Sequence, residues 1–418
     1  LTKAIKELHY EVPTSIQQQA IPIILNKKDV LGSAQTGTGK TAAFALPILH
    51  HLINQGDSSR KIKTLVVTPT RELAIQIAEN FTLYSKYTNI TNTVIFGGVK
   101  QGSQTDRLKK GVDILVATPG RLLDLMGQGY ISLKDISFFV LDEADRMLDM
   151  GFINDVKKIL EKLPTNRQSL FFSATMPKNI IEFSNKILQN PQKVIAHKTS
   201  TTANTIKQFL YFTNKSTKKD LLFHILRNND IKQILVFSRT KHGADRIVRN
   251  LKKKNINSAA IHGDKSQNQR QKTLKDFKDN NLRVLVATDI AARGIDIDQL
   301  NYVLNYDIPN EAETYVHRIG RCGRAGNKGI SISISEPEEN VYVKAIEKLI
   351  EKKIEIISEQ PFKQTEKPMN AQQKKEFEKE KNRKKQEFFK NIDQVLFTRS
   401  FLSCSHWRNG LPHHMVSC

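Results

Sequence analysis

The feature that most constrains the fold is a rhythm that runs through the chain twice. Short apolar and β-branched runs recur between longer helical patterns. The first series holds Thr64–Thr68, Thr93–Phe96, Ile114–Ala117, Phe138–Leu141 and Leu170–Phe172. After about residue 205 a second begins, with Ile234–Phe237, Ala259–Ile261, Val284–Ala287, Tyr302–Asn305 and Ile330–Ile334. Near-continuous apolar strands are covered on both faces, which is the environment of a parallel sheet between helices. Two series of similar size predict two doubly wound α/β domains in tandem. At roughly 100–200 residues per domain, a chain of 418 residues has room for both and for an extension.

The linker is expected at residues 197–205, where His197–Thr205 is polar, aperiodic and rich in Thr and Ser. That places one domain at 1–196, a second at 206–360 and a tail at 361–418. Residues 363–390 are rich in Lys, Glu and Gln and read as a solvated, partly helical or disordered extension. The last stretch holds Trp407, Cys404, Cys418, His406, His413 and His414. Its spacing matches no regular Cys/His zinc pattern, and a disordered, frameshifted or added end fits it better.

Charge narrows the function. The chain has 65 Lys+Arg against 42 Asp+Glu, a net +23. The tail from residue 361 accounts for only +6 of this, so +17 lies in the folded part. A polyanionic partner is indicated, nucleic acid before membrane. No apolar run approaches the roughly 18–20 residues of a membrane span, and the start has no signal-like apolar core. With three cysteines (Cys322, Cys404 and Cys418) a disulfide framework is not expected, and a reducing, cytoplasmic setting is. The leading Leu1 suggests a chain that lacks its true start.

Residues Ala34-Gln35-Thr36-Gly37-Thr38-Gly39-Lys40-Thr41 follow an apolar segment and precede a helical one. This is the strand–loop–helix setting of a phosphate-binding loop, although Ala34 stands where the general pattern has Gly. Glycines let backbone N–H groups turn toward phosphate oxygens, and the helix N-terminus adds partial positive charge. Lys40 should reach the β- and γ-phosphates of ATP, and Thr41 should ligate Mg²⁺. Downstream, Phe138-Phe-Val-Leu-Asp142-Glu143-Ala144-Asp145 is an apolar strand ending in acids. Asp142 is placed to hold the metal, and Glu143 to orient and deprotonate the attacking water.

The sequence Asp142-Glu143-Ala144-Asp145 is the name-giving motif of DEAD-box RNA helicases, members of helicase superfamily 2. The resemblance covers about residues 9–335. The first domain carries Pro69-Thr70-Arg71-Glu72-Leu73, Gly97-Gly98, Thr118-Pro119-Gly120-Arg121 and Ser173-Ala-Thr175 in the family's order. The second carries Gln267-x-x-Arg270, Ala287-Thr288 through Asp296, and His317-Arg-Ile-Gly-Arg321-Cys-Gly-Arg324. Segments such as Phe96-Gly-Gly-Val and Asp149-Met-Gly-Phe-Ile look most like the bacterial RhlE-type branch.

The resemblance implies a RecA-like fold for both domains and a role for each motif. His9 through Gln17 resembles the Q motif, in which the Gln17 amide reads adenine; a Gln amide can donate to N7 and accept from N6. His9 replaces the usual Gly, and the family's upstream aromatic falls just before Leu1. Asp296 looks like the ribose ligand. Ser173 and Thr175, with Asp145 and His317, would couple the nucleotide and RNA sites. In a helix, His317, Arg321 and Arg324 would share one face. No acid stands three or four positions from either arginine, so local ion pairs do not explain them. The family assigns Arg321 and Arg324 as arginine fingers on the γ-phosphate, worth roughly 10³–10⁵ in rate in related phosphoryl transfer. Cys322 reads as a small buried side chain.

RNA contacts are expected from Pro69, Thr70, Arg71, Gly97, Gly98, Thr118, Pro119, Gly120, Arg121, Arg239, Gln267, Arg270 and Thr288. They stand at strand ends and helix N-termini, so the backbone of single-stranded or short duplex RNA is the expected target, with little base reading. The expected activity is ATP-dependent, local and non-processive unwinding of short RNA duplexes or remodelling of RNA–protein complexes, by a monomer acting on ribosomal precursors or in RNA decay. The same motifs would serve an ATP-dependent RNA clamp or annealing factor. A DNA translocase is disfavoured by the Asp-Glu-Ala-Asp and Q-like motifs, and a non-catalytic scaffold by the complete catalytic set.

Overall fold

The computed structural model describes residues 1–34, 37–56, 59–195, 206–292, 300–323 and 329–368, with scattered positions between 372 and 387. Gln35, Thr36, Asp296, Arg324, the linker 197–205 and the Cys- and His-bearing end lie outside the described residues. Residues 1–363 form one compact unit that contains both lobes, and residues 364–418 form another. The described positions of the second unit from 372 onward are helical and exposed.

Among the described residues each lobe holds a seven-stranded sheet. The front lobe has β1 (Val30–Ser33), β2 (Thr64–Val67), β3 (Asn92–Ile95), β4 (Ile114–Ala117), β5 (Phe138–Leu141), β6 (Gln168–Ser173) and β7 (Gln192–Ile195). They run in the order β3-β4-β2-β5-β6-β1-β7. The rear lobe has β8 (Ile206–Phe212), β9 (Ile234–Phe237), β10 (Ser258–Ile261), β11 (Val284–Ala287), β12 (Tyr302–Asn305), β13 (Gly329–Ser335) and β14 (Glu355–Ile356), in the order β10-β11-β9-β12-β13-β8-β14. Every strand pair is parallel. The tandem RecA-like architecture expected from the sequence is therefore present.

The apolar runs lack a polar face because both faces are packed. In β2, Val66 enters one core while Leu65 and Val67 enter the other. In β9, Ile234 and Val236 point one way, and Leu235 and Phe237 the other. A strand period of two thus feeds two helix layers per lobe. Phe362 packs on the rear core, and the Gln360 amide donates to the Phe212 carbonyl at 3.0 Å, which carries the compact unit slightly past residue 360.

One expectation about local structure is corrected. The helix bearing His317 runs Ala312–Ile319 and is capped by Gly320. Arg321 lies in the turn that follows, and Gly323 beyond it sits at φ +70°. His317 and Arg321 are therefore brought together by a turn, not by a shared helix face.

Candidate functional site

The loops after β1, β2, β4, β5 and β6 all leave the carboxyl edge of the front sheet. In an open parallel sheet this is the ligand edge. Because β6 lies between β1 and β5, the Lys40 loop, Asp142 and Ser173 converge although they are far apart in the chain.

Gly37, Gly39, Lys40 and Thr41 line a cavity of about 540 Å³ together with Asp142 and Glu143. Gly39 sits at φ +89°, a left-handed conformation in which a side chain would also press on the Gln17 amide. That amide is committed at both ends: its Oε1 accepts from Thr14 N at 2.9 Å, and its Nε2 donates to the Gly39 carbonyl at 3.2 Å. Gln17 thereby ties the Q-like segment to the phosphate loop, while its amide retains a second N–H and a second acceptor lone pair. Ala34 is buried beside the loop, and Thr38 follows Gly37 in it.

Lys40 opens the helix Lys40–Gln55. Its ammonium is buried 3.5 Å from Asp142 Oδ1 and makes no hydrogen bond to a described group. Burial pushes the Asp142 carboxyl above its usual range, and Lys40 offsets only part of this. An unmet ammonium and a raised carboxyl in one cavity suit a polyphosphate with its cation. Thr41 and Asp142 offer the hard oxygen donors that Mg²⁺ takes, so these residues fit the ion.

Glu143 occupies the N-cap position of the short helix Ala144–Asp149 at φ 55°, left-handed for a non-glycine residue. Such backbone costs about 1–3 kcal/mol and recurs at functional sites. Its Oε2 accepts from Arg146 Nη1 at 2.7 Å, with both side chains buried. Burial raises the Glu143 carboxyl, but Arg146, Lys40 and Arg321 together outweigh it and hold it below its usual value. Asp145 follows the same logic: burial raises it, while Arg146, Lys40, His317 and a hydrogen bond from Thr175 bring it below the carboxylate norm.

Asp145 also joins β5 to β6. Its Oδ2 accepts from Thr175 N at 2.9 Å and from Thr175 Oγ1 at 3.0 Å, and its own N–H donates to Ser173 Oγ at 3.3 Å. Ser173 Oγ in turn donates to the Thr175 carbonyl at 2.7 Å. Asp145, Ser173 and Thr175 of the expected coupling set are thus one hydrogen-bonded unit. His317 and Arg321 of the rear lobe border the same small cavity as Arg146 of the front lobe. Cys322 is buried, with Sγ 3.1 Å from the Ile319 carbonyl it donates to.

The expected RNA-contact residues divide. Pro69 and Thr70 follow β2, and Thr70 Oγ1 caps the helix Arg71–Tyr84 by accepting from Leu73 N at 3.4 Å. Thr118 and Pro119 open the helix Pro119–Gly127, Gly120 is exposed, and Thr288 follows β11. Gly97 and Gly98 follow β3; a Cβ at Gly98, where φ is +78°, would collide with the Arg71 guanidinium. Arg121 donates from Nη2 to the Val99 carbonyl at 3.1 Å and keeps a buried Nη1 unpartnered.

Gln267 and Arg270 reach the other lobe. Gln267 Nε2 donates to Glu72 Oε1 at 3.0 Å, Arg71 Nη1 donates to Gln267 Oε1 at 3.4 Å, and Arg270 Nη2 lies 3.0 Å from Glu72 Oε2. Arg239 is held at 2.6 Å by buried Glu339 and donates to the Ile308 carbonyl at 2.8 Å. Glu339 also accepts from buried Lys218 at 2.8 Å.

Sequence reasoning missed Arg146, Lys218, Arg318 and Glu339. Only Arg146 left a signal, the Glu143-x-x-Arg146 spacing that joins residues on one helix face. Arg318 is buried and donates to Asp289 at 2.6 and 2.8 Å and to the Asp307 carbonyl at 2.6 Å. Its partners come from other strand ends, so no local pattern announces it.

Comparison with known proteins follows this geometry. Residues 14–183 match the family model of the DEAD/DEAH box helicase, and residues 217–326 match that of the helicase conserved C-terminal domain. The chain is 42% identical over 354 residues to the DEAD-box ATP-dependent RNA helicase RhpA of Helicobacter pylori, spanning 85% of this chain and 71% of that protein. It is 42% identical over 349 residues to the ATP-dependent RNA helicase CshA of Limosilactobacillus reuteri, spanning 84% and 70%. Among solved structures it resembles S. cerevisiae Dbp5 bound to RNA and ADP BeF3, with TM-score 0.76, 32% identity and coverage of 85% and 92%. It also resembles Mss116p bound to ssRNA and AMP-PNP, with TM-score 0.75, 30% identity and coverage of 86% and 77%.

Proposed function

Since the chain belongs to the DEAD-box family of ATP-dependent RNA helicases, we propose that it couples RNA-stimulated ATP hydrolysis to local, non-processive opening of short RNA duplexes or remodelling of RNA–protein complexes. The observation that carries this reading is that Arg321 and His317 of the rear lobe line one small cavity with Arg146 of the front lobe, which pairs with the Glu143 carboxylate at 2.7 Å. One catalytic centre is completed by both lobes, so the rate answers to whatever brings them together.

Lys40 and the phosphate loop hold the triphosphate. Thr41 and Asp142 would hold Mg²⁺, which when bound offsets charge on the phosphate oxygens. Glu143 accepts a hydrogen bond from the attacking water. It takes the proton as the new oxygen–phosphorus bond forms. Arg321 is positioned to meet charge on the terminal phosphoryl group, with Arg324 as its expected companion. The products are ADP and phosphate.

Asp145 carries the coupling, joined to Ser173 and Thr175 on one side and under the charge of His317 on the other. RNA bridging the Arg71, Gly98 and Arg121 region to the rear lobe favours the closed arrangement, and closure favours hydrolysis. By linkage, RNA then tightens ATP binding and ATP tightens RNA binding by the same factor. The cellular setting we infer is cytoplasmic, from the three-cysteine composition, and the RNA is a ribosomal precursor or an RNA-decay substrate, from the branch resemblance.

The test is ATPase rate with no polymer, with RNA and with DNA, alongside strand displacement and annealing on one short duplex. RNA-selective stimulation with displacement is expected. Equal stimulation by DNA would overturn the RNA assignment, and annealing without displacement would favour the clamp.

A further inference from the structure

A second cavity lies on the seam between the lobes, away from the nucleotide. It measures about 730 Å³, within the size range of small-molecule sites. One wall belongs to the front lobe, where Val94, Phe96 and Val99 are half-buried and apolar. The opposite wall is the first turns of the helix Gln267–Lys278, which present Asn268 and Gln271. These two are three positions apart and share a helix face. Lys100 and Arg107 stand at the exposed front-lobe margin, and no lining residue is acidic. The side chains of Lys100, Arg107, Asn268 and Gln271 make no hydrogen bond or ion pair with any described residue.

We propose that this cavity receives one unstacked nucleobase of the bound RNA strand. The inference rests on the helicase reading and goes beyond it, because backbone contacts alone are indifferent to sequence. Three observations favour a nucleobase. The lining includes Gly98 and Gln267, so the cavity adjoins positions expected along the RNA. The apolar wall suits the face of a base, and the free amides opposite suit its hydrogen-bonding edge, the mode by which single-stranded RNA is read. The two free cations at the margin, with no acid among the lining residues, suit the flanking phosphates.

The cavity also reports on closure. Its walls come from different lobes, and the Glu72–Gln267 and Arg71–Gln267 bonds adjoin it. A base seated there binds only the closed arrangement, so its identity should alter ATP-dependent RNA affinity more than affinity without nucleotide.

The experiment measures the RNA concentration for half-maximal ATPase stimulation with poly(U), poly(C) and poly(A), for the parent chain and for an Asn268→Ala, Gln271→Ala double variant. The parent should spread about fivefold or more across the polymers, the low end of what one read base edge supplies. The variant should compress that spread to within about twofold while unstimulated ATPase stays at the parent rate. Single abasic substitutions along a short oligonucleotide should locate one sensitive position in the parent and none in the variant. Uniform parent response to all polymers with no sensitive abasic position overturns the proposal, as does a spread that survives in the variant. Absence of any RNA stimulation would instead strike the helicase reading itself.

Discussion

Replacing Glu72 with Ala tests the seam directly. The carboxylate accepts from Gln267 at 3.0 Å and lies 3.0 Å from the Arg270 guanidinium, and both acid and arginine are nearly buried. The Arg270 arm has poor hydrogen-bond angles, leaving Glu72 Oε2 and Arg270 Nε without a formal hydrogen bond, so the Gln267 arm is the firmer one. A hydrogen bond to a charged group is worth about 1.5–3 kcal/mol, and part of that is taken back because the open lobes leave these groups hydrated. Removing Glu72 also asks Arg270 to be buried without its partner on closure. A net loss of about 2 kcal/mol in the closing equilibrium is expected, about 30-fold.

All of that cost falls on closure and none on either lobe's own core. In Glu72→Ala, the thermal midpoint should stay near the parent value, while unstimulated ATPase falls with the closed population and the RNA concentration for half-maximal stimulation rises about 30-fold. Arg270→Ala should behave similarly, and the double variant should be little worse than either alone. The salt slope of RNA affinity separates the two roles open to Arg270: a lost phosphate contact reduces the slope by about one, a lost seam contact leaves it alone. Additive losses, or an unchanged RNA concentration for half-maximal stimulation, would refute the reasoning.

Three further outcomes follow from the geometry. Glu143→Gln should cut turnover by about 10²–10⁴ while ATP and RNA still bind, measured by single-turnover hydrolysis beside ligand titration; parent-rate hydrolysis would remove the proton-acceptor role. Arg321→Ala should lower RNA-stimulated turnover by roughly 10³ or more with ATP affinity little changed, and a loss confined to binding would contradict the finger role. Burial pushes the Tyr315 phenol up to about 12, so it stays neutral in the folded lobe while the unfolded chain ionises near pH 10. Its contribution is complete below about pH 10 and fades toward pH 12. Urea unfolding of Tyr315→Phe should begin about 1 kcal/mol lower, for the lost 2.8 Å bond to Gln208, yet decline less in alkali; equal declines would refute the assignment.

The parts legible in the sequence are those with a local cause. Phe138–Leu141 reads as a buried strand because four consecutive apolar residues serve two cores at once. The phosphate loop reads from glycines ahead of Lys40. The strands Gln192–Ile195 and Ile206–Phe212 were not anticipated, since one is largely exposed and the other alternates like a one-sided strand. In the site, Asp145, Ser173 and Thr175 were anticipated as a group, but Arg146 inside that group was not.

Local composition by itself determined that this chain makes two parallel sheets and which chemical groups stand at their carboxyl edges. Only the tertiary structure decided which edges meet. The insertion of β6 between β1 and β5 sets Ser173 beside the nucleotide acids, and the meeting of Glu72 with Gln267 and Arg270 joins the two lobes. The reason is physical: backbone period and turn chemistry act over a few residues, whereas a buried charge is satisfied by whatever partner the packed chain delivers from far away.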